Sequence, residues 1–197
     1  MTTVVAVCGS RRDGSYTRAA LRYALDAAAE AGADTDFIDL GAVDLPLYHP
    51  DIDEQGDSPE LMRRMREADG VVVGSPVYHG SYSSTFKNFH DYCSFDEYEN
   101  TVAGLLAVAG GGSYGSTLDH MRITIRGVHG LVVPHQVGIR SAYEKFEEIP
   151  STDRNGDGVE YEFVDEPLRE RTEKLGRKVA EHAALLRGKE AAVEADD

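Results

Sequence analysis

Val4-Val5-Ala6-Val7-Cys8-Gly9-Ser10-Arg11-Arg12-Asp13-Gly14-Ser15-Tyr16-Thr17 is the stretch that decides how the chain folds. It opens with a short apolar run, as a strand buried on both faces of a parallel sheet requires. Gly9 breaks that run into a small polar turn. Ser15 and Thr17 are good N-cap residues, and Leu21, Leu25 and Ala28 follow at helical spacing. The unit reads strand, hydroxyl-rich loop, helix. A helix N-terminus carries unpaired N–H groups and the positive end of the dipole, which suits a phosphate. Ser10, Ser15 and Thr17 add hydroxyl donors, and Arg12 adds a full charge.

Three readings compete for this loop. It can be a plain strand-to-helix turn, of which every α/β protein has several. It can be a phosphatase loop, because Cys8 stands at the strand end; that chemistry needs an arginine six residues after the cysteine, and Gly14 occupies the position. It can be the phosphate site of a flavin mononucleotide. The spacing of Gly9 and Gly14 is not the G-x-G-x-x-G of a dinucleotide site, and no Gly-Lys-Ser/Thr P-loop occurs.

Gly9-Ser10-x-Arg12-x-x-Ser15 resembles the G-S-x-R-x-x-S loop of the NADPH-dependent FMN reductases, which have a flavodoxin-like fold. Flavodoxins proper carry a threonine-rich loop without the arginine, so Arg12 favours the reductases. Further along, Pro76-Val77-Tyr78-His79-Gly80-Ser81 resembles the family's P-x-Y-x-x-S loop along the flavin ring, and Lys87-Asn88 its following K-N. Leu45-Pro46-Leu47-Tyr48 resembles a stretch that follows the second strand in these reductases. Gly110-Gly111-Gly112-Ser113-Tyr114 resembles the loop that reaches the pyrimidine side of the ring.

The chain has 197 residues, enough for one domain with a full core. It lacks an apolar run of 18 residues, so no membrane span is expected, and with no charged n-region or cleavage site ahead of the first strand no cleavable leader is expected. Cys8 and Cys93 are the only cysteines, too few for a disulfide framework, and a cytoplasmic location is the expectation. The formal charge of −15 speaks against a basic nucleic-acid-binding face. The acid is spread along a lysine-poor chain, which looks either salt-adapted or simply acidic, since such self-repulsion is screened by salt.

In chain order, the first helix stops near Gly32, and Thr35 to Leu40 reads as the second strand. A long loop over 41–57 follows, then a helix opened by Ser58-Pro59 and running to about Ala68. Gly70 to Ser75 is the third strand; the helix after it carries Phe86, Phe89 and Cys93 on one side. Thr101 to Ala109 is the fourth strand, followed by a helix with Leu118, Met121 and Ile125, and Leu131 starts the fifth. Residues 141–166 read as a turn-rich insertion. Within it, Asp153-x-Asn155-x-Asp157-Gly158 matches the opening of a calcium loop, but the twelfth position is Val164 instead of a bidentate glutamate, so no metal site is assigned. Pro167 to Leu186 closes the chain as a helix, and 191–197 is an acidic tail expected to fray.

Five strands alternating with five helices imply one parallel sheet covered on both faces. The expected fold is α/β, a doubly wound five-stranded sheet within a single domain over 1–190. The resemblance implies the flavodoxin-like order 2-1-3-4-5. It implies FMN as cofactor and NAD(P)H as co-substrate, with electrons passing to a quinone, azo compound, metal ion or free flavin. Ser10, Arg12, Ser15 and Thr17, backed by Tyr16, are expected at the phosphate. Pro76, Val77, Tyr78, His79 and Gly80 are expected along the ring, with no catalytic task for His79. Gly110, Gly111, Gly112, Ser113 and Tyr114 are expected at its pyrimidine end. A homodimer or homotetramer is expected as well. The rivals are an FMN electron carrier without NAD(P)H turnover and a flavin-free binding domain, since fold does not fix function.

Overall fold

The computed structural model of the protein describes residues 1–150 and 159–196, the side chains of 189–196 excepted. The cation-loop match at Asp153, Asn155 and Asp157 lies outside the described residues. Five strands form the main sheet: β1 (Thr3–Cys8), β2 (Asp34–Asp39), β3 (Gly70–Pro76), β4 (Val102–Val108) and β5 (Leu131–Ile139). Their order is β2-β1-β3-β4-β5 and every pairing is parallel. The helices are α1 (Tyr16–Glu30), α2 (Ser58–Arg66), α3 (Ser84–Tyr92), α4 (Gly115–Gly127) and α5 (Glu166–Asp196). This is the covered parallel sheet that the alternation of strands and helices predicts, in the flavodoxin-like order that the family resemblance implies.

Period-two alternation in β1 sorts its side chains between two cores. Val4, Ala6 and Cys8 face α1 and α5, while Val5 and Val7 face the layer of α2, α3 and α4. Because both faces are covered, the strand is apolar throughout instead of alternating with polar residues. Small residues in α1 let α5 approach closely; a Cβ on Gly176 would stand 1.7 Å from the Ala24 carbonyl oxygen.

Several boundaries differ from the sequence reading. The cap of α2 is Asp57, with Ser58 inside the first turn, where its buried hydroxyl accepts from the Gln55 amide at 3.1 Å. The last helix runs past Leu186 to Asp196, through the segment expected to fray. Within 141–166 the chain builds an antiparallel pair, β6 (Phe146–Pro150) and β7 (Val159–Phe163), after a 3-10 turn at Ala142–Glu144. The turn dipeptides of the 150s drew attention away from the alternation in Val159–Phe163, whose Phe163 is buried against the core.

Candidate flavin site

The loops that follow β1, β3 and β4 leave the carboxyl edge of the sheet side by side, at the point where strand order reverses. The first is held from several directions. The Gly9 amide donates to the Gly74 carbonyl at 2.8 Å, and the Ser83 hydroxyl donates to the Gly9 carbonyl at 2.6 Å. Ser15 caps α1, its side chain accepting from the Arg18 amide at 3.2 Å. Ser10, Ser15 and Thr17 are all buried.

Arg18, which the sequence reading passed over, ties the loop together. Its Nε donates to Asp39 at 2.6 Å, and its Nη1 donates to the Arg12 and Asp13 carbonyls at 3.0 and 2.7 Å. A cation in the first turn opposes the helix dipole, so it needs a compensating partner; Asp39, at the end of β2, supplies one. That misplaced charge was the available signal. Ser75 and Ser83 were missed too. The Ser75 hydroxyl accepts from the Ser83 amide at 2.8 Å, which holds the second loop to the end of β3, and the Ser83 hydroxyl in turn joins it to the first loop at Gly9.

The donor set suits a phosphate. Among the described residues, the amides of Arg11, Asp13, Gly14 and Ser15 have no acceptor. The exposed Arg12 side chain makes no hydrogen bond or ion pair among them either. Cys8 beneath the loop is fully buried, and burial pushes its thiol up to about 11, with the Ser10 amide pulling the other way. It therefore stays a thiol at neutral pH, and with Gly14 where an arginine would be needed the phosphatase reading fails. Tyr16 sends its ring outward, stacked on Phe146 at 5.2 Å, so it backs the loop through the β6–β7 pair.

In the second loop, the Tyr78 amide donates to the Ser81 carbonyl at 2.9 Å and the Ser81 amide returns a bond at 3.0 Å. His79 and Gly80 between them have φ of 50° and 77°. This is the two-residue turn with both central residues left-handed. It leaves the His79 and Gly80 amides without an acceptor among the described residues, while the Tyr78 amide is used internally. α4 supports the turn, with Ser116 donating to the Gly80 carbonyl at 2.6 Å and the His120 Nδ1 at 3.0 Å from Ser81 Oγ. Pro76 and Val77 are half-buried, and the Val77 amide donates to Val108 at 2.8 Å.

The third loop is different. A Cβ on Gly110, Gly111 or Gly112 would meet nothing within 4 Å. Ser113 accepts from the Gly115 amide at 3.2 Å. Tyr114, expected at the ring, has its side chain laid on β5, where a Cβ on Gly138 would fall 2.0 Å from it. Open space therefore adjoins the glycines, and not the tyrosine. Nearby, Asn88 and Tyr92 of α3 both donate to the Pro46 carbonyl, at 2.8 and 3.0 Å, pinning the 45–48 segment to the helix.

Residues 2–144 match the family model of the NADPH-dependent FMN reductases. The chain belongs to that family. An FMN-dependent NADPH-azoreductase of Staphylococcus saprophyticus is 32% identical over 139 residues, which cover 66% of this chain and 73% of the relative. That of Staphylococcus haemolyticus is 31% identical over 149 residues, covering 72% and 79%. Among solved structures, an apo NADH:FMN oxidoreductase superposes with a TM-score of 0.70 at 19% identity, covering 94% of this chain and 89% of that one. RosB bound to 8-demethyl-8-formylriboflavin-5'-phosphate gives 0.76 at 15% identity, covering 100% and 86%. As a member of the reductase family the chain is an oxidoreductase, and the family implies FMN and NAD(P)H.

Two cavities lie away from the ring loops. One, of about 580 Å³, separates α1 from β7 and touches the phosphate loop at Asp13 and Ser15. The other, of about 570 Å³, lies at the opposite end of the sheet beside Leu131 and Leu185. Neither is lined by Tyr78–Gly80 or Gly110–Gly112, and the candidate flavin site rests on the donor set instead.

Proposed function

We propose that this protein binds FMN across the three loops and passes electrons from NAD(P)H to a small acceptor such as a quinone, azo compound, metal ion or free flavin. The observation that carries the reading is the coincidence, on one sheet edge, of loop amides and an Arg12 side chain without partners among the described residues, a preset turn and three glycines beside open space. When bound, FMN supplies a centre that accepts hydride from a nicotinamide and releases electrons. The chain's part is to bind and orient. Ser10, Arg12, Ser15 and Thr17 hold the phosphate, and the amides of His79 and Gly80 face the ring. Pro76, Val77 and Tyr78 form the wall of the ring pocket, and Gly110–Ser113 admit its pyrimidine end. Leu47 and Tyr78, 83% and 50% exposed, offer apolar surface to a second copy, in keeping with a homodimer or homotetramer.

The test is the absorbance spectrum of the freshly purified protein before and after NADPH, with mass spectrometry of the released cofactor. FMN that bleaches on mixing supports the reading. FMN that stays oxidised would make the protein an electron carrier, and recovered FAD would defeat the mononucleotide assignment.

A further inference from the structure

Beyond residue 144, where the family match ends, the chain brings a second structure against the phosphate loop. β6 and β7 are anchored on α1 by aromatic rings. Phe146 stacks on Phe163 at 4.2 Å, and Phe163 meets Tyr23 edge-on at 5.0 Å. Both phenylalanines are buried. Arg22 of α1 reaches Glu160 of β7 at 3.5 Å. Tyr161 stands between these anchors, so its backbone position is fixed by the core and not by the loop it touches.

The Tyr161 ring lies 4.4 Å from that of Tyr16. A Cβ on Gly14 would stand 3.1 Å from the Tyr161 hydroxyl oxygen and 3.2 Å from the ring. The hydroxyl thus sits on the loop between Gly14 and the Tyr16 side chain, within range of the Arg12 charge, with Glu148 opposite Tyr161 across the strand pair. Burial, the charge of the neighbouring Tyr16 phenol and a hydrogen bond between the two phenols hold Tyr161 above its ordinary value, so at neutral pH it carries its proton. A phosphate offers three strong acceptor oxygens, each able to accept more than one hydrogen bond, so it has room for a further neutral donor beside the loop amides and the Arg12 guanidinium.

We propose that Tyr161 is a phosphate-binding residue of this site, donating its hydroxyl to the flavin phosphate from beside Gly14 and the Tyr16 ring. The proposal rests on the FMN reading above. No local pattern points to it, since Tyr161 lies 144 positions from Thr17 in a segment rich in turn dipeptides.

The experiment titrates the cofactor-stripped full chain with FMN and with riboflavin, following flavin fluorescence. Tyr161→Phe keeps the ring packing and removes the hydroxyl, with its bond to the Tyr16 phenol. The FMN Kd should rise roughly tenfold, as loss of a hydrogen bond to a charged group implies. The riboflavin Kd should move by less than about twofold and the melting temperature by less than about 2 °C, because no buried contact is lost. Gly14→Ala, which pushes a methyl between loop and tyrosine, should repeat that pattern of FMN loss with riboflavin spared. An unchanged FMN Kd in Tyr161→Phe, or equal losses for both ligands, would overturn the role of Tyr161 and leave the FMN reading standing. A parent chain that binds neither flavin would overturn both.

Discussion

The loop after β1 and the loop after β4 open onto the same sheet edge and are built in opposite ways. The first is tied down by Gly74, Ser83, Arg18 and the Ser15 cap, and among the described residues it keeps a few amides without an acceptor. The second has one side-chain bond, from the Gly115 amide to Ser113, and three glycines with nothing near them. On the proposed function, the difference follows from what each end would bind. A phosphate is small, charged and the same in every oxidation state, so a rigid cradle loses nothing and saves the entropy of ordering. The ring end must admit a flat, larger group and then a second substrate beside it, which favours backbone that can be approached closely. A preformed phosphate end and an adaptable ring end is the division of labour we infer from this contrast.

The sharpest way to break the contrast is to remove the charge from the rigid end. Arg12→Ala deletes a side chain with no other partner among the described residues. A charge-assisted contact contributes about 1.5–3 kcal/mol, so FMN affinity should fall by roughly one to two decades. Riboflavin affinity should hardly change. Parallel losses in a titration with both ligands would show that Arg12 acts through the fold, and the phosphate assignment would fall.

Much of this architecture was legible because it depends on local pattern. The apolar run Val4–Cys8, the capping Ser15 and the glycine run at 110–112 each state their role within a few residues. The braces were not legible, because they join distant positions. Arg18 meets Asp39 only once β2 lies beside β1, and Ser83 meets Gly9 only once β3 does. The β6–β7 pair was hidden for a different reason. Its strands have just five residues each, and they flank a segment of turn dipeptides that dominated the reading. Tyr114 was assigned to the ring from its neighbours; the missing side chain of Gly138, which makes room for it, lies a whole helix away.

The sealing of the first loop can be tested by pH. Burial raises the Cys8 thiol from 9.0 to about 11. Folding therefore favours the protonated form, and the unfolded chain binds fewer protons between those values. Stability is unaffected below about pH 9 and declines as pH rises to 11, by roughly 2–3 kcal/mol in all. The measurement is urea unfolding at several pH values for the parent and Cys8→Ala. Cys93 and Tyr98 are also buried and raised, so only the difference between the two curves reports on Cys8. Identical slopes would mean that water reaches the thiol and the loop is not a seal.

A smaller effect compares the two loops directly through their glycines. A Cβ on Gly9 would meet Phe86 Cβ at 2.9 Å, Ser83 Oγ at 3.1 Å and the Gly74 carbonyl at 3.2 Å. Gly9→Ala should therefore cost about 1–3 kcal/mol, as overpacking does. Gly111 has open space around it and no left-handed φ. Gly111→Ala should raise the stability of the cofactor-free protein by about 0.4–1 kcal/mol, by narrowing the unfolded ensemble. Thermal melts of the two variants decide the point. Equal destabilisation would mean that the third loop is packed as tightly as the first, and the contrast would be lost.

The smallest effect is expected at His79, although it is the titratable group that stands on the ring loop. Its place in the Tyr78–Ser81 turn is a backbone role. A φ of 50° followed by 77° closes the turn and frees two amides, and those amides exist whatever side chain is attached. The imidazole is exposed, whereas the histidine that does engage the turn is His120, through Ser81. Hydride transfer from a nicotinamide to the flavin needs no protein proton donor, and solvent can supply the later proton. A positioned acid or base contributes about 10²–10⁴-fold, so loss of a required one would be conspicuous. His79→Ala should keep flavin reduction by NAD(P)H within about tenfold of the parent, below that range. His79→Gly, which suits the left-handed conformation better, should match the parent or exceed it in stability, because an L-residue there costs about 1 kcal/mol. Stopped-flow reduction at saturating FMN compares the three proteins. A hundredfold or greater loss in both variants, with cofactor still bound, would make the imidazole part of the chemistry. A loss in Ala that Gly restores would instead keep the role with the turn, where the geometry puts it.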